Sequence, residues 1–273
     1  MLQLASQADA VYLSHMRVIR DYQFVDPNDK GASVAIGNFD GVHLGHQSVI
    51  DLARDGAKRH DAPLGILTFE PHPRSYFAPD AAPFRLMDAH ARETRLAKLG
   101  IERLYQMNFN ASLAALTPRE FAQHVIVDGL GLVNVVVGAD FCFGKGRAGT
   151  TTDLVKFGQE MGFDVKIAPL IEDASIQISS TAIRNALSDG RPREAAAQLG
   201  HWHRIEGEVI SGEQRGRELG YPTANMALDG LHLPKLGVYA VIVDVLDGPH
   251  VGSYHGAASL GVRPMFGENT PNL

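Results

Sequence analysis

Through the first two thirds of the chain, short apolar runs rich in Val and Ile alternate with stretches whose apolar positions recur every three or four residues. That is the rhythm of parallel strands covered by helices. Residues 33–39 read as the first strand, and Val49, Ile50, Ala53 and Ala57 share one face of a helix over 46–58. Residues 64–69 form the second strand; Asp88 caps a helix that ends at Gly100, and residues 101–107 form the third. Thr117-Pro118-Arg119-Glu120 supplies an N-cap, a proline at the first helical position and a capping-box glutamate for a helix that stops near Gly129. Residues 133–137 are a strongly apolar fourth strand, Thr151 or Thr152 caps a helix ending about Gly162, and residues 163–170 form a fifth. The fold class expected is α/β, with a doubly wound parallel sheet. From Arg204 the rhythm changes to short β-like segments (206–212, 237–248 and 254–262) separated by Gly, Pro and Asp, the pattern of an all-β domain. The expected organisation is a first domain over 1–190, a bridging segment over 191–203 containing a short helix (193–200), and a β domain over 204–273.

Composition narrows the class. With 273 residues the chain has room for two domains, and 45% hydrophobic with 21% charged residues is ordinary globular usage. A net charge of -6 argues against a broad nucleic-acid-binding face. The single cysteine, Cys142, cannot form an internal disulfide or a Cys-based zinc site. Gln3, Ser6, Asp9 and Ser14 interrupt any secretory core at the start, and no apolar run approaches the roughly 20 residues of a membrane span. A cytoplasmic protein acting on small molecules is expected, without nucleic-acid or membrane partners and with self-association left open.

Four segments carry candidate chemistry. Gly37-Asn38-Phe39-Asp40-Gly41-Val42-His43-Leu44-Gly45-His46 lies between the first strand and the first helix. There the glycines let the backbone approach a phosphate, helix amides attract anions, and two histidines three apart can face the ligand. The same residues also describe a tight turn with partly buried histidines; a zinc site lacks a third ligand at characteristic spacing. Ile178-Ser179-Ser180-Thr181-Ala182-Ile183-Arg184 places hydroxyls at a helix start and an arginine one turn in, which suits a triphosphate or a plain N-cap. Thr68-Phe69-Glu70-Pro71-His72-Pro73-Arg74 ends the second strand in a proline-rich turn. Gly138-Ala139-Asp140-Phe141-Cys142-Phe143-Gly144-Lys145-Gly146-Arg147 ends the fourth strand with aromatics and two cations, a surrounding for a flat ring beside phosphates unless Phe141 and Phe143 are core. All four follow strands of one parallel sheet, where a shared crevice collects them.

On these residues the chain resembles the bifunctional riboflavin kinase/FMN adenylyltransferase family, the prokaryotic FAD synthetases. GNFDGVHLGH resembles the HxGH motif of nucleotidyltransferases and ISSTAIR their second phosphate-binding motif; TFEPHPR and GADFCFGKGR resemble blocks peculiar to this family. Gly220-Tyr221-Pro222-Thr223-Ala224-Asn225 resembles the PTAN motif of riboflavin kinases, a six-stranded barrel. The resemblance implies FAD synthesis from FMN and ATP, riboflavin phosphorylation in a complete chain, and Mg²⁺. It implies catalytic roles for His43, His46 and Arg184, and ATP contacts from Gly37, Asn38, Phe39, Asp40, Gly45, Ser179, Ser180 and Thr181. Asp140, Phe141, Phe69, His72 and Arg74 would surround the flavin or nucleobase. At the kinase site Thr223 and Asn225 would hold magnesium and ATP phosphates, helped by Arg215 and Arg217, which on sequence alone also read as a turn and a solvated loop. The kinase pattern expects a catalytic glutamate just after GVRPMFGENTPN, with Asn and Thr where Arg263 and Met265 stand, so an incomplete kinase half is expected. Readings of another class keep the fold with a different acceptor, such as nicotinamide mononucleotide or phosphopantetheine, or a flavin- or nucleotide-binding module without turnover.

Overall fold

A computed structural model describes residues 15–169, 172–173, 176–210, 223–226, 228, 230–263 and 268–272. They divide into two compact units: one holds the described residues from His15 to Ala81 and Glu93–Ile178, the other Ala82–Arg92 and the described residues from Ser179 onward.

The first unit is built on six parallel strands, β1 (Arg17–Ile19), β2 (Ser33–Ile36), β3 (Leu64–Glu70), β4 (Arg103–Asn108), β5 (Asn134–Gly138) and β6 (Asp164–Ala168), in the order β1-β4-β3-β2-β5-β6, followed by a short antiparallel pair, β7 (Glu172–Asp173) and β8 (Ile176–Gln177). Every residue of β2 and the first four of β5 are buried. A parallel sheet covered on both faces reads as a continuous apolar run, which is why these strands stand out in the sequence. The edge strand β1 was not expected, since three residues beginning with Arg carry no alternation to detect. Strand β2 ends at Ile36, not Phe39, because the chain turns at Phe39 into the left-handed region (φ 51°).

The helix Leu44–His60 starts two residues before the position expected, because His43 is its cap. It packs close to the sheet at Gly56, where a Cβ would lie 2.3 Å from Asn134 Nδ2 and 2.6 Å from Ser33 Oγ. Those two groups form a buried clamp: Asn134 Nδ2 donates to Ser33 Oγ at 2.8 Å, and that hydroxyl donates to the Ala53 carbonyl at 2.7 Å. The expected Thr117/Glu120 capping box is present, and Pro118–Glu120 runs directly into a π-helix, Phe121–Gly129. Its Phe121, Ala122, Val125 and Ile126 fill the core with Tyr105, Met107, Val135 and Val137. Thr150, rather than Thr151 or Thr152, caps the helix Thr151–Met161, with Asp153 closing the box. Asp88 caps the helix Ala89–Lys98 as expected, accepting from the Ala91 amide at 2.7 Å.

The second unit contains the helices Ser180–Ser188 and Pro192–Leu199, whose Ile183, Ala186, Leu187, Ala195 and Leu199 pack with Leu86. The β-rich character expected beyond residue 204 is present as antiparallel strands. Strand β9 (Val209–Ile210) pairs with β10 (Asn225–Met226), and β11 (Gly237–Val245), β12 (Gly252–Arg263) and β13 (Glu268–Asn272) form a second sheet. Ile205, Leu228, Leu231 and Leu260 form their buried cluster. The described strands do not close a barrel.

Candidate active site

The strand order reverses between β2 and β5. At such a switch point the loops beyond the two carboxyl ends part and leave a crevice. The segments 37–46 and 138–147 leave these two strands, and 68–74 leaves the adjacent β3.

The 37–46 loop is held in one shape. Phe39 (φ 51°) and Val42 (φ 42°) are non-glycine residues with left-handed backbone, and both are at most 1% exposed. Such backbone costs on the order of 1–2 kcal/mol per residue and persists only where surrounding structure imposes it. Here burial of both side chains does so. The Gly37 amide donates to the Leu67 carbonyl at 3.1 Å, and Thr68 Oγ1, fully buried, donates to the Asn38 carbonyl at 3.3 Å. Asp40 is buried beside them, whereas Asn38 is exposed.

The two histidines stack, with ring centroids 3.6 Å apart and planes 17° from parallel. His43 Nδ1 accepts from the His46 amide at 3.2 Å and thereby caps the helix. An Nδ1 that accepts carries no proton, so in this arrangement the donor of the His43 ring is Nε2. His46 is held well below the ordinary histidine value, first by burial and then by the neighbouring His43, so it is neutral at pH 7. Its Nδ1 has no hydrogen-bond partner among the described residues. Gly45 makes room for this pair: a Cβ there would lie 3.1 Å from the His43 ring and 3.7 Å from the Ile178 carbonyl.

Beyond β3, Phe69 packs on the core, and His72 Nδ1 accepts from the Arg74 amide at 3.0 Å, capping the helix Pro73–Phe77. Arg74 is exposed. Sequence reasoning missed the aromatic group that follows. Tyr76 and Phe77 are 37% and 67% exposed and pack edge-on against Phe109, at 5.3 and 5.7 Å between centroids, and Phe109 meets Phe69 at 5.8 Å. The signal available was an aromatic pair directly after the proline turn. Beyond β5, Asp140 is exposed and Phe141 half-buried. Phe141 stacks on Phe143 at 5.6 Å, and Phe143 is core, so the question the sequence left open divides between the two rings.

Residues 25–182 match the FAD synthetase family model and 199–273 the riboflavin kinase model. Over 249 residues the chain is 39% identical to the bifunctional riboflavin kinase/FMN adenylyltransferase of Pseudomonas fluorescens, covering 91% of this chain and 78% of that one. The protein of the same name from Escherichia coli (strain K12) is 37% identical over 250 residues, covering 91% and 79%. The chain belongs to this family. A solved structure named as a macrolide-efflux protein from Streptococcus pneumoniae shares the fold, with a TM-score of 0.78 and 32% identity over 94% of this chain and 83% of that one. Among the described residues of this family member no helix is long and apolar enough to cross a membrane.

The remaining candidate residues, from Ser179 onward, lie in the second unit. Ser179 is the N-cap of the helix Ser180–Ser188, its Oγ accepting from the Ala182 amide at 3.2 Å; Ser180 is half-buried and Thr181 exposed. Arg184 Nε donates to the Phe84 carbonyl at 2.6 Å. Thr223 is exposed, and Asn225 is half-buried on β10 opposite Ile210. Arg215 and Arg217 lie outside the described residues.

Proposed function

We propose that this chain transfers AMP from ATP to FMN, giving FAD and pyrophosphate in the cytoplasm, and that its kinase half phosphorylates riboflavin to FMN. The observation that carries the adenylyl-transfer reading is the stacked His43–His46 pair held on a strained, buried loop at the sheet's switch point. A phosphate oxygen of FMN attacks the α-phosphorus of ATP in line, the bond from that phosphorus to the bridging oxygen breaks, and pyrophosphate carries the charge away. Such a displacement needs positioning and charge stabilisation, not a protein nucleophile.

In this reading His43 donates from Nε2 to a non-bridging α-phosphate oxygen, and the neutral His46 beside it supplies the second imidazole of the pair. Gly37, Asn38, Phe39, Asp40 and Gly45 form the wall along which ATP lies. Ser179, Ser180, Thr181 and Arg184 hold the β and γ phosphates. The flavin ring lies against the Tyr76–Phe77–Phe109 surface, with Phe69, His72, Arg74, Asp140 and Phe141 around it. At the kinase site, within the expected six-stranded barrel, Thr223 and Asn225 offer neutral oxygen donors, which suits a magnesium ion brought in on substrate phosphates. Those two residues would hold the ion, with Arg215 and Arg217 on the phosphates; when bound, it neutralises phosphate charge.

The test is an acceptor contest. Pyrophosphate release from ATP is followed with FMN, nicotinamide mononucleotide or phosphopantetheine. FMN is expected to be preferred by a wide margin; preference for another acceptor, or tight binding of ATP and FMN without release, rejects the reading.

A further inference from the structure

Within the second unit three segments far apart in the chain are tied together around Arg184. Its Nε bond to the Phe84 carbonyl is accompanied by stacking, the guanidinium carbon lying 5.5 Å from the centre of the Phe84 ring. The next carbonyl, that of Arg85, accepts from the His232 amide at 2.8 Å, and Arg85 pairs with Leu231 as an isolated parallel bridge. The His232 ring then reaches back to the helix that carries Arg184: its Nε2 lies 3.0 Å from the Arg184 carbonyl oxygen and 3.1 Å from Ser188 Oγ. Three residues further on, the Lys235 amide donates to the Leu187 carbonyl at 2.9 Å.

A carbonyl oxygen only accepts, so the contact with Arg184 requires a proton on His232 Nε2, and Ser188 Oγ shares that proton. Apolar packing through Ile183, Ala186 and Leu187 buries one face of the helix but is non-directional, and it fixes neither rotation about the axis nor sliding along it. Directional bonds to the Arg184 and Leu187 carbonyls set both. Arg184 is thus held from two sides, its side chain by Phe84 and its backbone by His232.

His232 lies in the part matched by the riboflavin kinase model, whereas the helix belongs to the ISSTAIR motif. We infer that His232 is a positioning residue for adenylyl transfer: a side chain of the kinase half that fixes Arg184, and with it the Ser180 and Thr181 hydroxyls, for the triphosphate of ATP. This rests on the reading of Arg184 as a phosphate ligand.

The experiment measures initial rates of pyrophosphate release by the purified full chain, varying ATP at saturating FMN and then FMN at saturating ATP. His232→Gln places an amide nitrogen close to where Nε2 stands; His232→Asn is too short to reach. The Asn variant is expected to raise KM for ATP roughly fivefold or more while KM for FMN stays within about twofold, and the Gln variant to keep both near wild type, since loss of one directional contact acts on the substrate it positions. A merely structural role would lower the active fraction, and hence kcat, without separating the two KM values. The inference is overturned if the Asn variant keeps the wild-type KM for ATP, if both KM values rise together, or if Gln fails to rescue. Arg184→Ala, assayed alongside, separates the two readings: near wild-type turnover there removes Arg184 as a phosphate ligand, whereas a crippled Arg184→Ala beside an unaffected Asn variant removes only the role of His232.

Discussion

The loop 37–46 and the segment 223–225 are both read as places where a triphosphate is handled, and the chain builds them in contrasting ways. The first follows a strand buried at every position, contains two strained residues pinned by burial, and uses one of its own histidines as a helix cap. The second leads into a two-residue strand; Thr223 is exposed, and Val209 on the partner strand is 70% exposed. A parallel sheet covered on both faces transmits rigidity to the loops at its strand ends. A short antiparallel ladder supplies much less, so the kinase segment brings less geometry of its own to its substrate.

The largest expected effect breaks the first of these sites. His43→Ala removes both the Nε2 donor and the helix cap, and turnover in FAD formation should fall roughly 10²- to 10³-fold. Loss of the cap should cost only about 1 kcal/mol in thermal unfolding, so a protein that folds yet hardly turns over is the expected result. Near wild-type pyrophosphate release would remove His43 from the chemistry and the loop from this comparison.

Titration probes the second unit from its interior. Burial pushes His203 down to about 4, against the opposing pull of its hydrogen bond to the Leu86 backbone; His201 and His232 add smaller downward pushes. The folded form therefore refuses a proton that the unfolded chain accepts below about pH 6.5. Stability should fall as pH drops from about 6.5 towards about 4, by on the order of 3 kcal/mol from this residue. Denaturant unfolding of wild type and His203→Phe at both ends of that window checks the sign: the variant should show the shallower pH slope, and equal slopes would reject the assignment.

A smaller effect sharpens the flavin side of the first site. Phe77 is exposed and packed only edge-on, so Phe77→Ala should leave folding intact while raising KM for FMN roughly two- to tenfold, the range of one aromatic contact. KM for ATP should not move; a parallel rise in both would take Phe77 out of the flavin surface. The smallest effect is expected at an exposed strand position, set against a buried one. Val238, 75% exposed on β11, should change stability by less than about 0.5 kcal/mol when replaced by Ala, whereas Leu67→Ala, fully buried in β3, should cost about 2–5 kcal/mol. Similar costs at the two positions would erase the distinction.

Much of the first unit was legible before any coordinates. Val34-Ala35-Ile36 and Val135-Val136-Val137 are apolar at every position because both faces of the sheet are covered, and Thr117 with Glu120 announces a helix start by chemistry local to four residues. The start at His43 was not legible. Histidine is not a usual cap residue, and only the stacked geometry shows its Nδ1 accepting from an amide. The π-helix was hidden for a related reason: a shift of the hydrogen bonds from the fourth to the fifth residue leaves the apolar spacing of Phe121, Ala122, Val125 and Ile126 looking like an ordinary helix.

By itself the sequence determined most of the helices and buried strands, the candidate loops that leave the ends of β2, β3 and β5, and the family, because periodicity, capping and motif spacing are local properties of the chain. Tertiary structure alone decided which histidine nitrogen can donate, which of Phe141 and Phe143 joins the core, that Tyr76 and Phe77 face solvent, and that His232 closes on the helix of Arg184. Each of these depends on groups brought together from distant parts of the chain, and no local pattern encodes a neighbour that only folding supplies.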